Sequence, residues 1–310
     1  MIMIETIRKT QLYNSMGLSK LMHHAYLFHS LDKVLNNEIA LTFAKSKLCN
    51  NSNSCNECFS CAQFNKNSHP DFVLIDQQSV KVEDINSIIN KLSTKPISSN
   101  YKIILILNAE TINEIAQNKL LKSLEEPNNS TIFILSTSKI DKLLPTVLSR
   151  LHKINVEKPT AQDFSLIKAE LLTKGVNIEK YQNSNFNLTD IINFETDENY
   201  KKTINAIKFI FSNLKSSQDI PHVTNSIPEF DKSIFLKVLE MVFLSCINNE
   251  NIFDDELHNL INSTFSQKAL IHSIPLIEDA YKKQMANVNF GYILDNLLFN
   301  ILKEKFLCRQ

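Results

Sequence analysis

Glycine is almost missing from this chain: three residues in 310, at positions 17, 175 and 291. Phosphate-binding loops use glycines so that backbone N–H groups can wrap an anion. The glycine-free stretch from 18 to 174 therefore excludes an ordinary P-loop there. Arginine is also scarce. Only Arg8, Arg150 and Arg309 occur, and the remaining basic residues are all lysine. Tryptophan is absent, and the formal net charge is zero, which excludes an overall basic footprint for nucleic acid. No apolar run reaches the roughly 20 residues needed to cross a bilayer. The opening MIMIETIRKTQLYNS has neither a long apolar core nor a small-residue cleavage site, so no secretory signal is expected there. Six cysteines, four of them bunched, do not suit a secreted disulfide scaffold of this size. The expected location is cytoplasmic, with no membrane partner.

What is present is periodic. AYLFH (25–29), FVLID (72–76), YKIILILN (101–108) and STIFILST (130–137) read as strands. The last two are apolar on both faces, as buried parallel strands are. Helices are expected over 34–48, 82–92 and 111–126, the last stopped by Pro127, and Pro145 suits the first turn of a short helix. Strands alternating with helices imply a parallel sheet covered on both sides. After Pro159 such strands stop. Thr160 to Lys174 reads as a helix with Thr160 as N-cap and Asp163 three residues on. Further helices are expected over 201–215, 228–248, 254–264, 267–284 and 290–307. The expected organisation is an α/β domain over 1–158, a small helical domain over 159–200 and an all-α domain over 201–310.

Four cysteines fall within CNNSNSCNECFSC: Cys49, Cys55, Cys58 and Cys61. Four thiolates complete a tetrahedral structural zinc site without outside ligands, and the two-residue gaps let them converge. A ferredoxin-type iron–sulfur run and unligated or oxidised thiols are the alternatives, although the later Cys-Pro of such a run is missing. His69 is a conceivable substitute ligand. Cys246 and Cys308 read as buried or terminal thiols.

The place after the first strand, where a phosphate loop belongs, holds HSLDKVLNN (29–37). Lys33 is followed by Val34, so no hydroxyl is available for Mg²⁺. The strand IILIL runs into Asn108-Ala109-Glu110, with an amide where the metal needs its first carboxylate. Neither half of an ATP site is present in recognisable form.

Two stretches carry a family resemblance. AQNKLLKSLEEPNNSTIFILST (116–137) resembles the N-x-LLK-x-LEEPP segment of clamp-loader subunits of the AAA+ family, and LLPTVLSRL (143–151) resembles the stretch holding their Ser-Arg-Cys motif. A four-cysteine module after the first helix is shared by bacterial members. The resemblance is specific over about 22–158. It implies an AAA+-like domain, a lid and a collar-forming C-terminal domain. It also implies a heteropentamer with gamma/tau motor subunits and a delta subunit, acting on a sliding clamp and primed DNA during replication. The lost phosphate loop implies the delta-prime type, which binds no ATP and completes a neighbour's site with an arginine in trans.

On that reading Ser149 and Arg150 are the site residues, and Leu151 stands where the motif has cysteine. An always-charged planar fork suits γ-phosphate oxygens in a way that lysine does not. The alternative for Arg150 is a helix-end residue facing its own C-terminal carbonyls. For the chain as a whole the alternatives are an ATP-hydrolysing motor subunit and a stand-alone zinc-containing nucleic-acid-binding protein.

Overall fold

The computed structural model describes residues 3–18, 23–51, 54–77, 79–92, 94–126, 130–176, 178–181 and 186–308. Two compact units make up the chain: residues 1–175 with 187–189, and residues 176–186 with 190–310.

The first unit opens with two short helices, α1 (Ile4–Lys9) and α2 (Gln11–Ser15). It continues through β1 (Ala25–His29), α3 (Lys33–Leu48), α4 (Phe59–Asn65), β2 (Phe72–Ile75), α5 (Val82–Leu92), β3 (Lys102–Ile106), α6 (Glu114–Glu125), β4 (Thr131–Thr137), α7 (Pro145–Leu148), β5 (His152–Asn155) and α8 (Ala161–Thr173). The five strands form one parallel sheet in the order β2-β3-β4-β1-β5. β3 and β4 are buried at every position, which their unbroken apolar runs require. Alternate side chains go to opposite faces. Ala25, Leu27, Ile104, Ile106, Phe133 and Leu135 join Ile85 and Ile88 of α5 and Leu120 and Leu124 of α6 in one core. Tyr26 and Phe28 turn the other way and meet Phe43 of α3 edge-on, at centroid distances of 4.9 and 5.5 Å.

Local chemistry sets the ends of these elements. Asn113 caps α6 by accepting from the Ala116 amide at 2.8 Å, so this helix starts later than its apolar spacing suggests, after a single 3-10 turn at Ala109–Thr111. The expected stop at Pro127 lies outside the described residues. The capping box at the start of α8 forms as its sequence predicts. Asp163 also accepts from the Gln11 and Leu12 amides at 2.6 and 3.2 Å, which fastens α2 to α8. β5 and the two N-terminal helices were not expected from pattern. β5 is an edge strand of sequence HKIN that is largely exposed, so it lacks the apolar signature of the interior strands.

The second unit is helical: α9 (Leu188–Thr196), whose first two residues belong to the first unit, then α10 (Glu198–Asn213), α11 (Ile220–Ser226), α12 (Phe235–Ile247), α13 (Asp255–Thr264), α14 (Gln267–Met285) and α15 (Phe290–Leu307). The helix expected over 228–248 begins only at Phe235. Asp231 instead holds a turn by accepting from the Ser233 amide at 2.8 Å. Pro275 lies inside α14.

Candidate functional site

In open parallel sheets, ligands sit at the carboxyl ends of the strands, and phosphate sits on the N-terminus of the following helix. Here that helix is α3, and its N-terminus already carries an anion. Asp32 caps it, with Oδ1 accepting from the Leu35 amide at 3.1 Å. The same carboxylate accepts from the Leu188 amide at 2.6 Å and from the Thr189 hydroxyl at 2.7 Å. Thr189 Oγ1 in turn accepts from the Val34 amide at 2.8 Å. The N–H groups that a phosphate would need are thus bonded to side chains of this chain, and Asp32 is buried.

The neighbouring strand ends are closed by amides and hydroxyls. Asn36 donates to the carbonyls of Ser30 and Thr137 at 2.9 and 2.8 Å. Asn37 accepts from the Ser136 hydroxyl and donates to Asn108 at 3.2 Å. Asn108, in the left-handed region at φ 55°, donates to Asp76 at 3.2 Å. Glu110 accepts from Thr137 and Ser138 at 2.6 and 3.0 Å. The carboxylates near β2 and β3 therefore already serve hydrogen bonds within the fold.

Arg150 follows α7, a single turn started by Pro145. Its Nε donates to Glu125 at 2.8 Å, and Nη2 pairs closely with the same carboxylate oxygen. Nη1 donates to the Thr146 carbonyl at 2.6 Å and to Ser149 Oγ at 3.2 Å. It faces a carbonyl of its own helix, as the helix-end reading expects, and the residue is partly exposed. Ser149 ends the turn, its hydroxyl donating to Thr146 at 2.9 Å. Leu151 is buried in the sheet core, a role that a small apolar thiol could also fill. Arg150 borders a hollow of about 320 Å³ that is also lined by His23, His24, Leu124 and His152. His23 stacks on His24 at 4.5 Å, and His24 Nε2 meets the Leu124 carbonyl at 2.8 Å.

The four cysteines gather between α3 and α4. Cys49 ends α3, and Cys58 caps α4 through its sulfur, 3.4 Å from the Cys61 amide. Similar amide contacts of 3.4 Å run from Cys55 to the Cys49 sulfur and from Cys58 to the Cys55 sulfur. Ser54 and Asn56 adopt positive φ between them, and Arg8 Nη1 donates to the Ser54 carbonyl at 2.8 Å. All four sulfurs lie within 4.8 Å of one another, with Cys49 at 3.5 Å from Cys55 and 3.9 Å from Cys58. A disulfide needs about 2.05 Å. A single tetrahedral ion with bonds of about 2.3 Å needs edges of about 3.8 Å. The donor set therefore fits one ion. Burial resists ionisation of Cys58, but the Cys61 and Asn50 amides outweigh it and lower its pKa. Burial pushes Cys61 up to about 12. His69 stands outside this group: its Nδ1 accepts from the Asp71 amide at 3.1 Å.

Comparison with known proteins bears on this half of the chain. The family model described as DNA polymerase III, delta subunit, matches residues 6–160, half of the 310. The chain belongs to this delta-subunit family. Among curated relatives, the DNA polymerase III subunit delta' of Bacillus subtilis is 32% identical over 166 residues, which is 52% of this chain and 50% of that protein. That of Yersinia pestis is 36% identical over 137 residues, 41% of this chain and 40% of that protein. The DNA polymerase III subunit gamma of Buchnera aphidicola is 31% identical over 181 residues, 56% and 49% of the two chains. The matches span about half the length of these relatives.

In this delta-family member the structure brings Ser149 and Arg150 together at one surface, and gathers Cys49, Cys55, Cys58 and Cys61 at another. Sequence reasoning missed Asp32, whose partners Leu188 and Thr189 lie more than 150 residues downstream. Nor did it join Glu125 to Arg150. The signal available was its place in the LEEP stretch, at the end of α6 and ahead of β4 and α7.

Proposed function

We propose that this chain is a delta-prime-type clamp-loader subunit that binds no ATP and supplies Arg150 in trans to a neighbouring ATPase. The observation that carries this reading is the Asp32 carboxylate on the N-terminus of α3. A nucleotide phosphate would have to displace a buried anion held by four hydrogen bonds within the chain. The partly exposed Arg150 beside a hollow supports the second half of the reading, since a finger must reach outward. Family membership and relatives named delta' support the clamp-loader setting.

On this reading the chain joins gamma/tau motor subunits and a delta subunit in a heteropentamer that places a sliding clamp on primed DNA during replication. Residues 159–200 then correspond to the lid, and 201–310 to the collar. The four cysteines hold a structural zinc ion, since four sulfurs and no open position leave it no catalytic role. No helix among the described residues is long and apolar enough to cross a membrane. A motor-subunit reading competes because relatives named gamma and tau match the same half of the chain.

One experiment separates these readings. The reconstituted loader is assayed for ATPase with this chain wild-type or Arg150→Ala, beside nucleotide binding by the chain alone. No binding alone, with ATPase lost in the mutant assembly, is the expected result. Tight nucleotide binding by the isolated chain returns the motor reading, and unchanged ATPase in the mutant assembly removes the finger.

A further inference from the structure

We propose that His272, Glu304 and Cys308 form a second metal site, for a divalent transition ion of the zinc class, which fastens the end of α15 to α14. This inference stands apart from the four-cysteine site.

Three donor atoms of different chemistry converge. His272 Nδ1 lies 3.1 Å from Glu304 Oε2 and 3.8 Å from Cys308 Sγ, and that sulfur lies 3.9 Å from the same carboxylate oxygen. Zinc bonds of about 2.0 Å to oxygen and nitrogen and 2.3 Å to sulfur, at tetrahedral angles, need edges of about 3.3 to 3.6 Å. Each observed edge is within a few tenths of an ångström of these values. Without an ion, the imidazole N–H serves Glu304, and the two sulfur contacts are weak hydrogen bonds. An ion at the centre makes a bond of all three.

The secondary structure supplies this convergence. Glu304 and Cys308 are four residues apart at the end of α15, so they share a face. His272 approaches from α14, which packs along α15. The Ser266 hydroxyl donates to the Cys308 carbonyl at 3.2 Å and fixes that end against the start of α14. The C-terminus of a helix carries partial negative charge, so a cation is favoured there. A carboxylate and a thiolate together balance a divalent charge.

Thiolate with imidazole selects zinc-class ions over calcium or magnesium, which prefer oxygen alone. His272 is about half exposed and Cys308 is buried, so the ion enters from the solvent side and rests against the protein. On binding, the Cys308 S–H bond breaks, its proton passes to water, and the sulfur lone pair forms the metal bond. His272 binds through Nδ1 as the tautomer protonated on Nε2: the Nδ1 proton that served Glu304 leaves to water and Nε2 takes one from water. Water takes the fourth position.

The test counts metal. Full-length wild-type, His272→Ala and Cys308→Ser chains are loaded with zinc, desalted and analysed for bound zinc per chain, with circular dichroism as the fold control. Each variant is expected to hold one equivalent fewer than wild type. Equal zinc in wild type and His272→Ala overturns the proposal, whatever the occupancy of the four-cysteine site. A second measurement covers a misfolded variant: alkylation of Cys308 in the wild-type chain, read by peptide mapping. Zinc is expected to slow it severalfold, and an unchanged rate overturns the site.

Discussion

Glu125 holds Arg150. Two nitrogens of the guanidinium reach one oxygen of a carboxylate 25 residues earlier in the chain, at the last turn of α6. The pair is partly exposed, so it contributes at most about 1 kcal/mol to stability. Its larger effect is geometric, since it fixes the direction of a long side chain before any partner arrives.

Arg150→Ala is therefore expected to leave the urea midpoint of the isolated chain almost unchanged. The same variant should lower ATPase at the neighbouring site of the assembled loader by about a thousandfold, the lower end of the range for arginine fingers. Arg150→Lys keeps the charge but loses the fork, and should recover only a small part of that rate. Glu125→Gln should retain more than half the wild-type ATPase if the carboxylate only orients the finger. A loss as large as that of Arg150→Ala would give Glu125 a role of its own.

Asp32→Ala removes the acceptor for amides at both ends of a long connection. A lost helix cap costs about 1 kcal/mol, and a buried amide left without a partner costs about 1–3 kcal/mol. Equilibrium unfolding should show a loss of about 3 kcal/mol. The same change should not create ATP affinity, because no glycine loop leads into α3 and Lys33 is followed by Val34 with no hydroxyl for Mg²⁺.

Cys55→Ser is expected to lose the metal of the four-cysteine group and lower the thermal midpoint of the first unit. Chelator treatment of wild type should give the same shift. Because the ligands bind as thiolates, zinc should be released progressively as the pH falls, and a zinc-sensitive dye records it directly.

Asp71 gives a separate acid transition. Burial raises its pKa, but the amides of Ile97, Ser98 and Ser99, at 2.7 to 2.9 Å, outweigh that and hold it below the ordinary carboxylate value. Its contribution is complete above the unfolded value of about 3.9 and is lost as the pH falls through the lower, folded value. Wild type should lose stability below about pH 4 more steeply than Asp71→Asn, which should start about 2 kcal/mol less stable at neutral pH. Parallel pH profiles for the two proteins would remove Asp71 from this role.

The interior of the sheet was legible because its strands are apolar on both faces: IILI of β3 and IFIL of β4 belong in a buried parallel sheet whatever surrounds them. β5 was not, since an edge strand such as HKIN meets water and its alternation is faint. The four-cysteine group was legible because its spacing is local. Arg150 and Ser149 were proposed through a neighbouring motif, but Glu125 could not be joined to Arg150 by any periodicity, since β4 and α7 lie between them. Asp32 was the hardest to read. In sequence it looks like a plain N-cap, and its other partners, Leu188 and Thr189, come from beyond α8, where no local pattern points back to it.

The hydrogen bonds of Asp32 also have a consequence in mass action. A bound phosphate stabilises a fold by an amount that grows with the logarithm of its concentration. A carboxylate on the same chain has no such dependence, because its effective concentration is set by the covalent backbone. The thermal midpoint of this chain should therefore be the same with ATP, with ADP or with neither, while an ATP-binding neighbour's shifts with each. In the assembly proposed, every movement timed by nucleotide would begin in other subunits and reach this one through its surfaces.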